Sequence, residues 1–205
     1  MKKYILSALV FFGICNSQIL LAQESKFTHH TEVGILPYNL SFQEIGVTVQ
    51  TFNGYRLNPD LAIGATVSYD KYSVDDGFKY SVLPVSLGIR YDFLEPKSTR
   101  MFAGLDAGYG FAWETDAFRE GEVKGGLRFN PEVGMKWKLG EGKFFMTLAL
   151  GYQYQHFKAE YTSFYFRPFL TGLMDQVDYY YSPKDYVETK DINAHRFSFK
   201  IGFGF

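Results

Sequence analysis

The side chains that could do chemistry in this chain are charges set at even spacing inside alternating segments. Glu32, Arg56, Asp70, Arg90, Asp92, Asp106, Arg128, Glu132, Lys136, Lys138, Arg196 and Lys200 share a parity with glycines and small polar residues, and their sequence neighbours are mostly apolar. A period of two sends alternate residues to opposite faces of a strand, so charges of both signs collect on one face. Enclosed in a low-dielectric interior, such charges must be paired. Two chemistries stay open. Paired charges can plug a lumen, or they can line a selective pore in which Gly104, Gly108, Gly110 and Gly134 leave room for water.

Catalytic and metal-binding patterns are weaker. His156 and His195 fall at matching ends of two segments, with Glu160 and Ser198 near in sequence. A His-activated Ser at such a rim would suit acyl transfer on a lipid. Ser198 has the opposite parity to His195, which argues against a Ser–His hydrogen bond. His29 and His30 are adjacent, so on a strand they diverge, and with Glu32 they give no metal spacing. Gly104 to Gly110 lacks the strand-to-helix setting of a phosphate loop. The expectation is a non-enzymatic protein with no catalytic set, no metal and no cofactor.

The elements that must position the charges are eight alternating segments: Thr28–Leu36, Ile45–Leu57, Leu61–Tyr72, Tyr80–Phe93, Met101–Glu114, Gly126–Leu139, Phe144–Gln155 and a closing one from Asn193. The last is the clearest. Phe197, Phe199, Ile201, Phe203 and Phe205 share one parity, and Arg196, Ser198, Lys200, Gly202 and Gly204 share the other. Bulges are expected near Gly54, beside the polar Asn53, and at Pro131, which lacks a ladder donor. The connections alternate in length. Asn58–Asp60, Glu95–Arg100 and Gly140–Lys143 are short, with turn-forming Pro, Gly and Asn. Pro37–Glu44, Ser73–Lys79, Thr115–Lys124 and Phe157–Ile192 are longer. Short turns on one rim and long loops on the other are the pattern of a membrane barrel. Tyr91, Phe93 and Trp137 near the short turns, with Tyr69, Tyr109, Phe111, Trp113, Tyr152 and Tyr154 near the long loops, read as two aromatic girdles.

Composition agrees. The chain has 205 residues with 21 Phe, 16 Tyr and 20 Gly, and its net charge of −1 gives no basic balance for nucleic acid. Mean hydropathy is −0.15, and no apolar run after the N-terminus is long enough for a helical span. Lipid leaves no backbone group to be satisfied by water, so membrane strands must close on themselves. With eight strands the interior is just wide enough for side chains to fill. The expected fold is therefore an all-β, eight-stranded antiparallel transmembrane β-barrel of up-and-down topology.

The N-terminus has the layout of a signal peptide over residues 1–22. Lys2 and Lys3 precede an apolar run, and Leu20-Leu21-Ala22 offers a cleavage site. Residues 23–205 then form one barrel domain. Cleavage would remove Cys15, the only cysteine, so no disulfide framework is expected. Phe157–Ile192 carries Tyr161, Phe164, Tyr165, Phe166, Arg167, Tyr179, Tyr180 and Tyr181. So many aromatics suit either a strand extension above the membrane or a recognition surface.

These features together resemble the small outer-membrane β-barrel proteins of the OmpA/OmpX type, the broad group of outer-membrane barrel-domain or porin-family proteins. The resemblance is carried by the signal-like Met1–Ala22, by Gly54-Tyr55-Arg56-Leu57-Asn58-Pro59-Asp60-Leu61 with Ile63-Gly64-Ala65, and by the closing Phe203-Gly204-Phe205. It implies the outer membrane of a Gram-negative cell, outer-membrane lipid as surroundings, and a monomer. It also implies that Phe203 and Phe205 serve as the assembly signal read by the barrel assembly machinery. The family supplies no catalytic set. The expected role is structural or surface-interacting, through long loops meeting an unidentified extracellular ligand, with the lumen plugged by charge pairs. The alternatives are a narrow passive channel and, third, a lipid-modifying barrel enzyme.

Overall fold

The structure, a computed structural model, describes residues 26–38, 45–74, 78–94, 99–115, 121–163, 166–168, 179–181 and 186–205. The signal-like residues 1–22 lie outside them. The strands are β1 (Phe27–Pro37), β2 (Ile45–Arg56), β3 (Leu61–Val74), β4 (Phe78–Phe93), β5 (Thr99–Glu114), β6 (Gly121–Lys124), β7 (Gly126–Lys138), β8 (Phe145–Ser163), β9 (Phe166–Pro168), β10 (Tyr179–Tyr181) and β11 (Tyr186–Gly204). Sequential neighbours pair antiparallel from β1 to β5, then β5 with β7 and β7 with β8. β11 pairs with β8 on one side and β1 on the other, which closes an eight-stranded up-and-down barrel. The ladder runs past the last strand residue, with the Phe205 amide donating to the His29 carbonyl at 2.8 Å and the reverse bond at 3.0 Å. No described residue is helical.

Alternation explains the barrel wall. Inward positions are buried, and outward ones expose large apolar side chains, among them Leu87 at 78% and Leu127 at 69%. Water would not tolerate such a belt, whereas lipid requires one. Aromatic rings gather at both ends of the belt. Phe205 lies 6.4 Å from Phe27 and 6.3 Å from Phe144 at the short-turn rim. Near the long-loop rim, Tyr69 lies 6.1 Å from Trp113 and Tyr109 lies 5.3 Å from Phe111.

The turns follow local chemistry. Asn58 Oδ1 accepts from the amides of Asp60 at 3.0 Å and Leu61 at 2.7 Å, folding the β2–β3 turn. Gly140 takes φ +66° in the β7–β8 turn, where a side chain would be strained.

Three expectations need correction. First, Phe157–Ile192 is not one long loop. β8 and β11 stay in register from Phe145↔Gly204 to Ser163↔Tyr186, so both flanks of that segment are strand. Part of the loop before Gly126 is strand as well, since β6 pairs with β8 from Gly121↔Tyr161 to Lys124↔Lys158. Second, no bulge forms at Gly54, because the β1–β2 and β2–β3 registers run through it unshifted. At Pro131 the β7–β8 pairing jumps from Phe129↔Tyr154 to Glu132↔Gly151 without a shift. Proline removes one donor there but inserts no residue. The extra residue sits instead at Gly125, where the pairing passes from Lys124↔Lys158 to Arg128↔Gln155. A Cβ at Gly125 would collide with the Gly110 carbonyl. Third, Lys138 has the inward parity but is exposed, because β7 ends there at the rim.

Candidate functional site

The candidate site is the interior of the barrel, which stacks in levels from the short-turn end upward. At the lowest level Lys136 Nζ donates to Asp92 Oδ1 at 2.5 Å. Arg56, partly exposed at the rim, lies 3.7 Å from Asp92 and donates to the Pro59 carbonyl at 3.1 Å. Lys136 also sits over the rings of Phe102 at 4.8 Å and Phe145 at 5.5 Å. A narrow recess enters here, lined by Thr28, Arg56, Asp60, Asp92 and Lys136, with His30 and Arg90 also in its lining.

The middle level is the most heavily charged. Arg90 forks onto Asp106 with two hydrogen bonds of 2.9 Å and places Nε 3.2 Å from Glu132 Oε1. Thr66 at 2.6 Å and Asn130 at 3.1 Å complete the Asp106 carboxylate. Lys200 Nζ donates to Glu132 Oε2 at 2.5 Å. Glu32 accepts from two neutral donors, Gln50 Nε2 at 2.6 Å and Thr147 Oγ1 at 3.0 Å. Beside them lies His30, 1% exposed, its ring stacked on Phe52 at 5.2 Å and edge-on to Phe145 at 6.5 Å. Among the described residues, His30, Glu32 and Glu132 form a group of metal-ligating types.

The upper level centres on Asp70. Arg128 pairs with it, and it also accepts from Thr48 at 2.6 Å, Gln153 at 2.8 Å and Tyr72 at 3.3 Å. Arg196 donates to the Ser73 carbonyl at 2.5 Å and lies 4.8 Å from the Tyr38 ring.

Above this level the polarity inverts. The inward positions become apolar, and Leu36, Tyr72, Tyr80, Val82, Phe157, Ala159, Ile192 and Ala194 pack into a buried cluster. The outward positions turn polar at the same height. Tyr152 hydrogen-bonds His195, Tyr154 donates to Asn193 at 2.8 Å, and Lys158 lies 3.3 Å from Asp191. The long-loop end is therefore built like a water-soluble barrel, apolar within and polar outside.

Eleven of the twelve charges set on this face by alternation line the interior, with Arg56 at its rim, and Lys138 does not. Alternation sets Gln50, Thr66, Asn130, Thr147, Gln153 and His30 on the inward face as well, but it does not mark them as neighbours of the charges. The small residues offered as pore space do not leave it open. A Cβ at Gly104 would lie 2.8 Å from Glu132, and one at Gly110 would lie 2.5 Å from Gln155 Oε1. His195 points outward and Ser198 is buried inward, so the two do not meet.

Of the loop-surface residues, the backbones of Tyr161, Phe166, Arg167, Tyr179, Tyr180 and Tyr181 belong to strands. β9 and β10 pair separately, with Arg167 opposite Tyr180. Phe164 and Tyr165 lie outside the described residues. Phe203 and Phe205 face outward at the short-turn rim.

A closed eight-stranded barrel with an apolar belt and a filled polar lumen has the fold of the small outer-membrane β-barrels. Solved structures bear this out. Outer membrane protein OprG from Pseudomonas aeruginosa matches with a TM-score of 0.61 at 13% identity, over 88% of this chain and 94% of that one. AlkL, an outer membrane protein solved in DMPC bilayers, matches at 0.51 and 14%, over 90% and 91%. Neisserial surface protein A matches at 0.50 and 13%, over 87% and 94%. Identities this low speak for the fold alone. No protein-family model and no curated protein matches the sequence.

Proposed function

We propose that the protein is an exported, monomeric outer-membrane barrel with a closed lumen, whose role is structural and surface-interacting. The apolar belt supplies the membrane argument, with outer-membrane lipid as its surroundings. The observation that carries the closed lumen is its filling: paired charges through the middle and an apolar cluster across the long-loop end. The working surface is the β8–β11 hairpin with the chain between its strands, which meets an extracellular ligand. Phe203 and Phe205 serve the barrel assembly machinery.

Planar-bilayer recording of the purified protein tests the closed lumen, and a silent membrane is expected. Discrete, reproducible openings would overturn it and favour a narrow passive channel. A lipid-modifying role is disfavoured by the opposite facing of His195 and Ser198. Incubation with lipid A should leave its acyl-chain mass unchanged.

A further inference from the structure

We infer that the middle of the lumen holds a site for a first-row divalent cation of the Zn²⁺ type, bound by His30, Glu32 and Glu132. A ring nitrogen of His30 and one oxygen from each carboxylate lie within 4.8 Å of one another, and all three residues are buried. One atom of the group stands unused: His30 Nε2 has no hydrogen-bond partner among the described residues, while Glu132 Oε1 lies 3.2 Å from Arg90 Nε. A buried ring nitrogen without a partner is costly in a protein interior, and a ligated cation removes that cost.

Of the two carboxylates, Glu132 is held by both Arg90 and Lys200, whereas Glu32 meets only the neutral donors Gln50 and Thr147. A cation beside Glu32 supplies the counter-charge that this carboxylate lacks among its direct contacts.

The surroundings are those of a supported site. Phe52 and Phe145 fix the His30 ring, Gln50 and Thr147 orient Glu32, and Lys200 orients Glu132. Bond lengths of about 2.0–2.2 Å put tetrahedral ligand atoms about 3.4 Å apart, so carboxylate rotations of ~1 Å complete the shell. One imidazole with two carboxylates suits a borderline cation better than Ca²⁺ or a thiolate-seeking metal. The recess at the short-turn end has His30 in its lining.

The test is calorimetric titration of the purified full-length barrel in detergent with ZnCl₂, beside His30→Gln, Glu32→Gln and the outward-facing His29→Gln. One Zn²⁺ per barrel is expected, with affinity at least tenfold weaker in H30Q and E32Q and unchanged in H29Q. X-ray absorption of the Zn²⁺-loaded wild type provides a second readout that needs no variant to fold. The lumen site contains a single imidazole, so one nitrogen ligand with oxygens completing the shell is expected. Absence of saturable binding, equal binding in H30Q, or a shell with two or more imidazoles would each sink the proposal.

Discussion

Arg90 shows why alternation placed charges that composition would send to the surface. Its guanidinium is 2% exposed and touches Asp106, Glu132 and the Phe52 ring, the last at 4.7 Å. A buried ion pair gains little over an apolar pair, but removing one partner strands the other. Arg90→Met should therefore cost about 3–5 kcal/mol, read by urea unfolding in lipid vesicles. The Asp70–Arg128 pair offers the complementary measurement. Asp70→Leu alone should destabilise strongly, while the double change with Arg128→Met should recover most of the loss. If the double variant is as unstable as the sum of the singles, the pair is not coupled as its geometry indicates.

At the scale of elements, β8 and β11 are the informative strands, because each changes solvent partway along its length. Below Tyr152 and His195 the outward face is apolar, and above them it is polar while the inward face turns apolar. Phe157 anchors the change, fully buried with its ring 5.0 Å from Tyr80 and 6.3 Å from Tyr72. Phe157→Ala should cost about 3–5 kcal/mol, as for a large aromatic lost from a packed core. Ser163 and Tyr186 face each other across the hairpin. Replacing residues 164–185 by Asn-Gly would close it with a two-residue turn that suits antiparallel strands. The shortened protein should keep heat-modifiable gel mobility and lose adhesion, ligand binding or phage sensitivity in cells. Retained surface phenotypes would remove the hairpin from the proposed function.

For the whole molecule, closure is the decisive property, and the final residue takes part in it. Phe205 bonds the His29 backbone in both directions, and its ring lies 5.2 Å from that of His29. Deleting Phe205 removes one pair from a ladder that continues from Phe203↔Thr31 to Ile35↔Phe199. Stability should fall modestly, while the level reaching the cell surface should fall sharply because the assembly signal is lost. Normal surface levels of the deletion variant would count against that role.

Much of the architecture was legible in the residues themselves. The side-chain period of a strand is two, so the alternation in Arg196–Phe205 or Tyr80–Phe93 fixes which face each residue occupies without knowledge of its partners. Turn chemistry at Asn58 and Gly140 and the unequal connections set the strand order. The strand extension was one of two readings of Phe157–Ile192, and alternation followed with a fixed polarity could not choose it, because the pattern past Gln155 continues with its faces exchanged. The tertiary structure alone decided which charges meet. Glu132 reaches Lys200 and Arg90, and Asp70 reaches Arg128, from strands dozens of residues apart. Those pairings depend on register and barrel closure, which are properties of the closed sheet. The same holds for His30 and Glu32. Their shared face follows from the sequence, but only closure brings Glu132 across the lumen to meet them.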